Sequence, residues 1–209
     1  SKERLLDELK KISQLSTLSI LENLAKDKVS LDLIKMIFPE LKNLNIFLKL
    51  SPAKKTIMQE ADFIFLLSLM IIDTTDNADY FLYKFNISKK DQKRIKIIDS
   101  FYKENEKLIK INEKNLNKIF YYEGKQAVID ILNFKLIKSK KFENITLELI
   151  ELYKKKLLPV MPIGADILMK KYNIPQGKQL GEKLKTIEQE WVKNNFKISD
   201  QQVDNIVNN

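Results

Sequence analysis

The sequence predicts an all-α protein, a multi-helix array of about ten helices. Three observations carry that expectation. Apolar residues recur at helical spacing through most of the chain. No segment alternates apolar and polar residues between hairpin turns. Only four glycines occur in 209 residues, too few for a β-rich fold or for glycine-rich loops.

Taken in order, Leu5, Leu6, Leu9 and Ile12 form one apolar stripe at the start. Ser13 to Ser19 supplies the small polar residues of a turn, and Leu18, Leu21 and Leu24 resume the period. Ser30 can cap a helix over Leu31, Ile34, Met36 and Ile37. Pro39 suits the first turn of another. After Ser51-Pro52 a helix is expected through Asp62 to Ile72, apolar nearly all round and therefore interior. Asp73-Thr74-Thr75-Asp76-Asn77 is a loop with capping residues, and Asp73, Asp76 and Asp79 read as caps. Tyr80, Phe81, Tyr83 and Phe85 then read as core aromatics on a helix.

Ser88-Lys89-Lys90-Asp91 has the form of a capping box and opens a long helix through Ile95, Ile98 and Phe101. Asn115 to Tyr122 and Gln126 to Leu136 form a helical pair joined at Gly124. Phe142 to Leu157 is amphipathic and ends in Lys154-Lys155-Lys156, where cations complement the helix dipole. The remaining three glycines (Gly164, Gly177, Gly181) and three of the five prolines lie between Leu158 and Gly181. That stretch closes at Trp191, the single tryptophan, and Phe196.

Composition narrows the chemistry. Cysteine and histidine are absent, which removes disulfides, thiol nucleophiles, most zinc sites and any histidine base. There is no phosphate-cradling GxxxxGK[ST] or GxGxxG. The close acid pairs Asp76/Asp79 and Glu188/Glu190 have no glycine-rich strand context around them. No catalytic residue and no metal ligand set is therefore assigned. No apolar run reaches the ~18 residues of a membrane span, and Ser1 opens directly in a helical pattern, so a soluble, cytoplasmic chain without signal peptide or membrane partner is expected.

Net charge is +9 and the pI is near 9.4. A basic chain suits a polyanion such as nucleic acid. Arg4 and Arg94 are the only arginines, so backbone contact by lysine is expected rather than base readout. The densest cluster is Lys89, Lys90, Lys93, Arg94 and Lys96. It is either a solvated helix face or a phosphate-contacting one. Lys154 and Lys155, and Lys171 and Lys178 near two expected helix N-termini, complete the RNA-binding candidates.

Two separated motifs resemble one family. In the last quarter Pro162, Gly164, Asp166, Leu168 and Met169 are followed by Pro175, Gly177, Leu180 and Gly181, then by Leu184, Ile187, Glu188, Trp191 and Phe196. This succession resembles the tail of bacterial tRNA nucleotidyltransferases (CCA-adding enzymes) and poly(A) polymerases. Ile167 stands between Asp166 and Leu168, where the family has Asp-Leu directly, and Tyr172-Asn173 stands where many members have a glycine. At the other end, Ser1-Lys2-Glu3-Arg4 through Leu9 is similar to the family's Ser-x-Glu-Arg motif. Phe63 to Met70 and Tyr121-Tyr122-Glu123-Gly124 are similar to family segments of lower specificity.

The resemblance implies a C-terminal region divided into the end of a neck (1–50), a body (51–140) and a tail (141–209). It implies that the catalytic head, with its Mg²⁺ and its ATP or CTP, lies upstream, in cis or on a separate chain, so that this chain alone is inactive and holds no cofactor. Glu3 and Arg4 would brace the nucleotide-selecting helix. Gly164, Asp166, Gly177, Gly181 and Trp191 would shape a tail that holds the acceptor and T-arm of tRNA by its backbone. Asp166 is expected to cap a helix, and Gly181 to let a helix approach another backbone closely. The alternative is a free-standing helical protein-interaction domain whose lysines are compositional.

Overall fold

The structure, a computed structural model, describes residues 1–14, 17–105, 112–139 and 143–208. Among them are thirteen α-helices, one 3₁₀ helix and no strand. The all-α expectation holds, with more and shorter helices than the periodicity suggests. The chain divides into two compact units. The first comprises Ser1–Ile109 and Ile129–Leu152, the second Lys110–Val128 and Tyr153–Asn209.

The first unit contains α1 (Lys2–Gln14), α2 (Thr17–Lys26), α3 (Lys28–Ile37), the 3₁₀ helix Leu44–Lys49, α4 (Pro52–Gln59), α5 (Phe63–Ile71), α6 (Asn77–Phe85) and α7 (Lys89–Asn105). It also takes most of α9 (Lys125–Lys138) and α10 (Asn144–Lys155). Its core is built around α5, on which every residue but Ile64 is buried. An apolar surface on all sides leaves such a helix no solvent face. It packs against α1, α6 and α7.

Burying α5 strands the carbonyls of its last turn, which need donors. Two asparagines supply them. Asn77 Nδ2 donates to the Ile71 carbonyl at 2.7 Å and to the Glu40 carbonyl at 2.8 Å. Asn43 donates from its backbone to Met70 at 3.1 Å and from Nδ2 to Ile72 at 2.8 Å. Buried Lys54 does the same for α9, donating Nζ to the carbonyls of Ile137 at 3.1 Å and Ser139 at 2.5 Å. Its charge also complements the C-terminal end of the α9 dipole.

Several local expectations change here. The helix expected from Pro52 through Ile72 is two helices. Asp62 Oδ1 accepts from the Phe65 N–H at 2.9 Å and starts α5 afresh. Ser30 does not cap α3; Asp27 does, accepting from the Ser30 N–H at 3.0 Å, one turn earlier than the apolar period indicates. Pro39 starts no α-helix. It follows Phe38, which caps α3 at φ −126°, ψ 73°, because a residue before proline is driven out of the helical region. Of the four aromatics on α6, Phe81 and Phe85 are buried while Tyr80 and Tyr83 are exposed. Asp73 makes a local turn with Thr75, and Asp76 occupies the N-cap position of α6 without a side-chain cap bond. The turn expected over Ser13 to Ser19 falls partly on residues 15–16, and Phe142 on residues 140–142, outside the described residues.

The capping motif at Ser88 forms as read. Ser88 Oγ accepts from the Asp91 N–H at 3.2 Å and donates to Asp91 Oδ2 at 2.7 Å.

The second unit holds α8 (Glu113–Glu123), α11 (Ala165–Tyr172), α12 (Lys178–Lys193) and α13 (Asp200–Asn208), with the start of α9 and the end of α10. α12 is its hub and packs on α8, α11 and α13. Leu168, Ile174, Leu180, Ile187 and Val203 form a small core there. α11 ends at Asn173 in the left-handed region (φ 54°, ψ 31°), so asparagine makes the turn where the resembling family has glycine. α12 ends through Asn195 (φ 55°) and Phe196 (φ 64°), whose N–H donates to the Trp191 carbonyl at 2.8 Å. Such a value is rare for phenylalanine, and it returns the Phe196 ring to Trp191, centroids 5.0 Å apart.

Two expectations for the tail motif are corrected. Asp166 lies in the first turn of α11 but does not cap it; Gly164 is the N-cap, without a side-chain bond. The Asp166 carboxylate instead stands over Gly164, 2.7 Å from where a Cβ would sit. Gly181 allows no close approach: it is exposed, and nothing lies within 4 Å of its missing Cβ.

Candidate nucleic-acid interface

The sequence candidates are divided between the two units. Lys89, Lys90 and Lys93 lie exposed in the first turns of α7. Arg94 follows them but turns inward, to Asp130 and Asp62. Burial works against its charge, but the hydrogen bonds and charges of the two carboxylates outweigh burial and hold the guanidinium ionised. Glu3 and Arg4 are exposed in the first turn of α1.

In the second unit, Lys154 and Lys155 end α10 exposed, and the Lys154 carbonyl accepts from Lys125 Nζ at 2.6 Å. The third lysine of that run points inward. Lys156 Nζ stands over the Tyr153 ring at 4.8 Å and donates to Asn117 Oδ1 at 2.6 Å. Burial lowers its pKa. The Tyr153 hydroxyl donates to the same oxygen at 2.8 Å. Lys171 belongs to the last turn of α11, not to a helix N-terminus, and stacks on Tyr172 at 5.0 Å. Lys178 does open α12, nearly fully exposed, with Glu182 at 3.8 Å.

What the structure does assemble lies between α8 and α12. Lys114, Lys118 and Tyr122 fall four residues apart along α8 and so share one face. Gln189 and Lys193 hold the same spacing on α12, with Val192 beside them. Together with Asn112 and Asn115 these residues line a cleft of about 500 Å³. No carboxylate lines it.

The neighbouring acids are engaged. Glu190 accepts from Asn194 at 2.9 Å and pairs with Lys193 at 3.3 Å, contacts that lower its pKa. Glu188 accepts from the Tyr121 hydroxyl at 2.7 Å. Burial and that carboxylate push the Tyr121 pKa up to about 12. Tyr121 also meets Trp191 edge-on at 5.4 Å and Tyr122 at 5.1 Å. A braced aromatic cluster therefore stands behind the cleft, and Tyr122 emerges from it 44% exposed.

Lys114, Lys118 and Lys193 are not among the sequence candidates, which follow lysine density, while Tyr122 stands in a segment noted only for its resemblance. The period-four register on α8 is the feature that identifies them. Chemically the cleft is a cationic, amide-lined recess with one aromatic wall, suited to an anion that carries a flat group.

Among the described residues no group of three or more acidic side chains is placed to hold a metal ion. No helix among the described residues is long and apolar enough to cross a membrane. The fold and cleft define an all-helical chain with a basic recess. No protein-family model, curated protein or solved structure matches the chain significantly.

Proposed function

We propose that this chain binds RNA by its backbone, as the neck-end, body and tail of a tRNA-nucleotidyltransferase-like or poly(A)-polymerase-like enzyme. Its partner is the acceptor and T-arm of a tRNA in the cytoplasm, and catalysis belongs to a head domain supplied in cis or by another chain. The observation that carries the reading is the α8–α12 cleft, cationic and free of lining carboxylates. Phosphate neutralisation by lysine gives affinity without sequence readout. The resemblance adds support, since two of its segments meet in this unit: Tyr121 contacts both Glu188 and Trp191.

Titration of labelled tRNA and duplex DNA at about 50 and 200 mM salt tests the proposal. The expected result is a steep salt slope with tRNA preferred, weakened by Lys114→Ala with Lys118→Ala. No tRNA binding even in low salt would sink it.

One observation favours the second reading, a protein-interaction domain. Val29, Leu33 and Met36 on α3 form an exposed apolar stripe. Under that reading tRNA and duplex DNA fail alike. Leu33→Glu with Met36→Glu, rather than the lysine substitutions, then alters sedimentation behaviour.

A further inference from the structure

The cleft contains more than a phosphate site needs. Lysines suffice to hold a phosphodiester backbone. An exposed tyrosine on the wall adds nothing to that task, and exposing its ring to water is unfavourable. Tyr122 is also not a loose surface residue. Tyr121 packs against it with the ring planes at 80°. Tyr121 is itself anchored by Glu188 and Trp191. The ring is thus presented at the recess by a rigid support, which lowers the entropy lost when a ligand stacks on it.

We infer that the cleft receives one unpaired nucleotide of RNA, its base stacked on Tyr122 and its flanking phosphates held by Lys114, Lys118 and Lys193. The inference rests on the RNA-binding reading and makes it more specific: beside the backbone contacts, this cleft takes a single-stranded element of the RNA rather than continuous duplex. Three features select that ligand. The volume of about 500 Å³ falls in the range of small-ligand recesses, ~300–1,000 Å³, and so suits a nucleotide rather than a helix. Asn115 and Gln189 add amide donors and acceptors to the same lining, groups able to bond a base edge. Paired bases in a duplex stack on one another and offer no free face, whereas a splayed base does. An acidic peptide would use the lysines and leave Tyr122 without a role. An apolar peptide would find Val192 as the single aliphatic residue in the lining.

The test uses the full chain and three probes: a hexanucleotide RNA strand, the same strand with abasic sites and therefore the same phosphates, and a blunt duplex of the same sequence, whose affinity is compared per phosphate. Binding is read by fluorescence anisotropy. The base-bearing strand is expected to bind about tenfold tighter than the abasic strand, as base–aromatic stacking implies, and tighter than the duplex. Tyr122→Ala should erase the difference between the two strands, and Tyr122→Phe should preserve it. Equal binding of base-bearing and abasic strands by the wild type, or a difference that survives Tyr122→Ala, overturns the inference. Lys118→Ala reports on the underlying reading separately. It should weaken both strands by the same factor whatever Tyr122 does; if it changes neither, the lysines do not hold phosphate and the inference falls with that reading. Thermal melts confirm that each variant is folded; should Tyr122→Ala unfold, Tyr122→Leu, which keeps bulk but has no aromatic face, takes its place with the same expected loss of the difference.

Discussion

Arg94 grips Asp130 with two parallel hydrogen bonds, Nε to Oδ2 at 2.6 Å and Nη2 to Oδ1 at 3.0 Å. Its remaining arm, Nη1, reaches Asp62 Oδ2 at 2.5 Å, while the other oxygen of Asp62 caps α5. One guanidinium thereby ties α7, α9 and the first turn of α5 within the first unit. Such two-pronged geometry is available to arginine and not to lysine. One of the chain's two arginines is thus committed to the fold.

Removing Asp130 should therefore unfold rather than deregulate. Its side chain is 3% exposed and that of Arg94 21%. Breaking a buried pair from one side strands a charge and costs about 3–5 kcal/mol. Asp130→Ala is expected to lower the unfolding free energy measured in urea by an amount near the lower end of that range, since Asp62 still receives Arg94. Arg94→Lys should also destabilise, because an ammonium cannot span both carboxylates. The tRNA affinity of the folded fraction should stay at the wild-type value; a selective loss of affinity without loss of stability would return Arg94 to the RNA surface.

The cleft lysines should behave in the opposite way. Lys114 and Lys118 are exposed, and surface substitutions of this kind stay within about 0.5 kcal/mol of wild-type stability. Each change to alanine should reduce the slope of log affinity against log salt by about 0.7–0.9 and weaken binding to all RNA sequences alike. Salt titrations of the single and double variants check this. An unchanged slope in the double variant would place the phosphates elsewhere.

Asp99 on α7 should give the first unit an unusual pH dependence. Burial is the largest influence on its carboxyl and pushes the pKa above the ordinary 3.8, with Asp79 and Asp73 adding to the rise. Lys103, at 2.7 Å, opposes it without prevailing. For Lys103 the attraction of the same carboxylate overcomes a smaller burial and raises the ammonium pKa. One oxygen, Asp99 Oδ1, is buried with no hydrogen-bond partner. The folded state thus binds the Asp99 proton more readily than the unfolded chain. That contribution to stability is complete below the unfolded pKa and is lost as pH rises through the folded one. Asp99→Asn mimics the protonated acid and lacks this dependence. The stability of wild type relative to Asp99→Asn should therefore fall from pH 4 to pH 7 in urea melts; a difference that is flat or rises with pH would show the carboxyl pKa lowered instead.

Helix content was legible wherever apolar period and capping chemistry agreed. α5 is apolar on every side, which requires an interior place, and Ser88 with Asp91 marks the start of α7. Boundaries failed where a side chain chose between two equally periodic readings. Asp62 and Asp27 are caps embedded in otherwise continuous patterns, and only the local hydrogen bond distinguishes them from surface acids. The 3₁₀ stretch Leu44–Lys49 has no signature in apolar spacing at all. Of the cleft, the aromatic support was half visible, since Tyr121, Tyr122 and Trp191 stood in singled-out segments. Its lysines were not, because α8 and α12 are far apart in sequence and neither carries a dense cluster. Proximity of Lys114 to Lys193 is a tertiary fact that no composition window contains.

The two glycines around the start of α12 should respond to alanine with opposite sign, although the motif spacing makes them look equivalent. Gly177 sits at φ 152°, ψ −164°, a region essentially closed to residues with a Cβ, where strain runs to about 1–3 kcal/mol. Space is not the difficulty, for nothing lies within 4 Å of a Cβ there; the backbone itself is. Gly177→Ala should therefore lower the thermal midpoint or force the turn before Lys178 to rearrange. Gly181 is inside α12, exposed and equally uncrowded. Glycine in a helix interior is worse than alanine by roughly 0.5–1 kcal/mol, chiefly through the entropy of the unfolded chain. Gly181→Ala should raise the midpoint by a corresponding amount. Calorimetric melts of the two variants decide the matter. Loss of stability at Gly181 would mean that α12 meets a partner surface there, and only then would the glycine be explained by close packing.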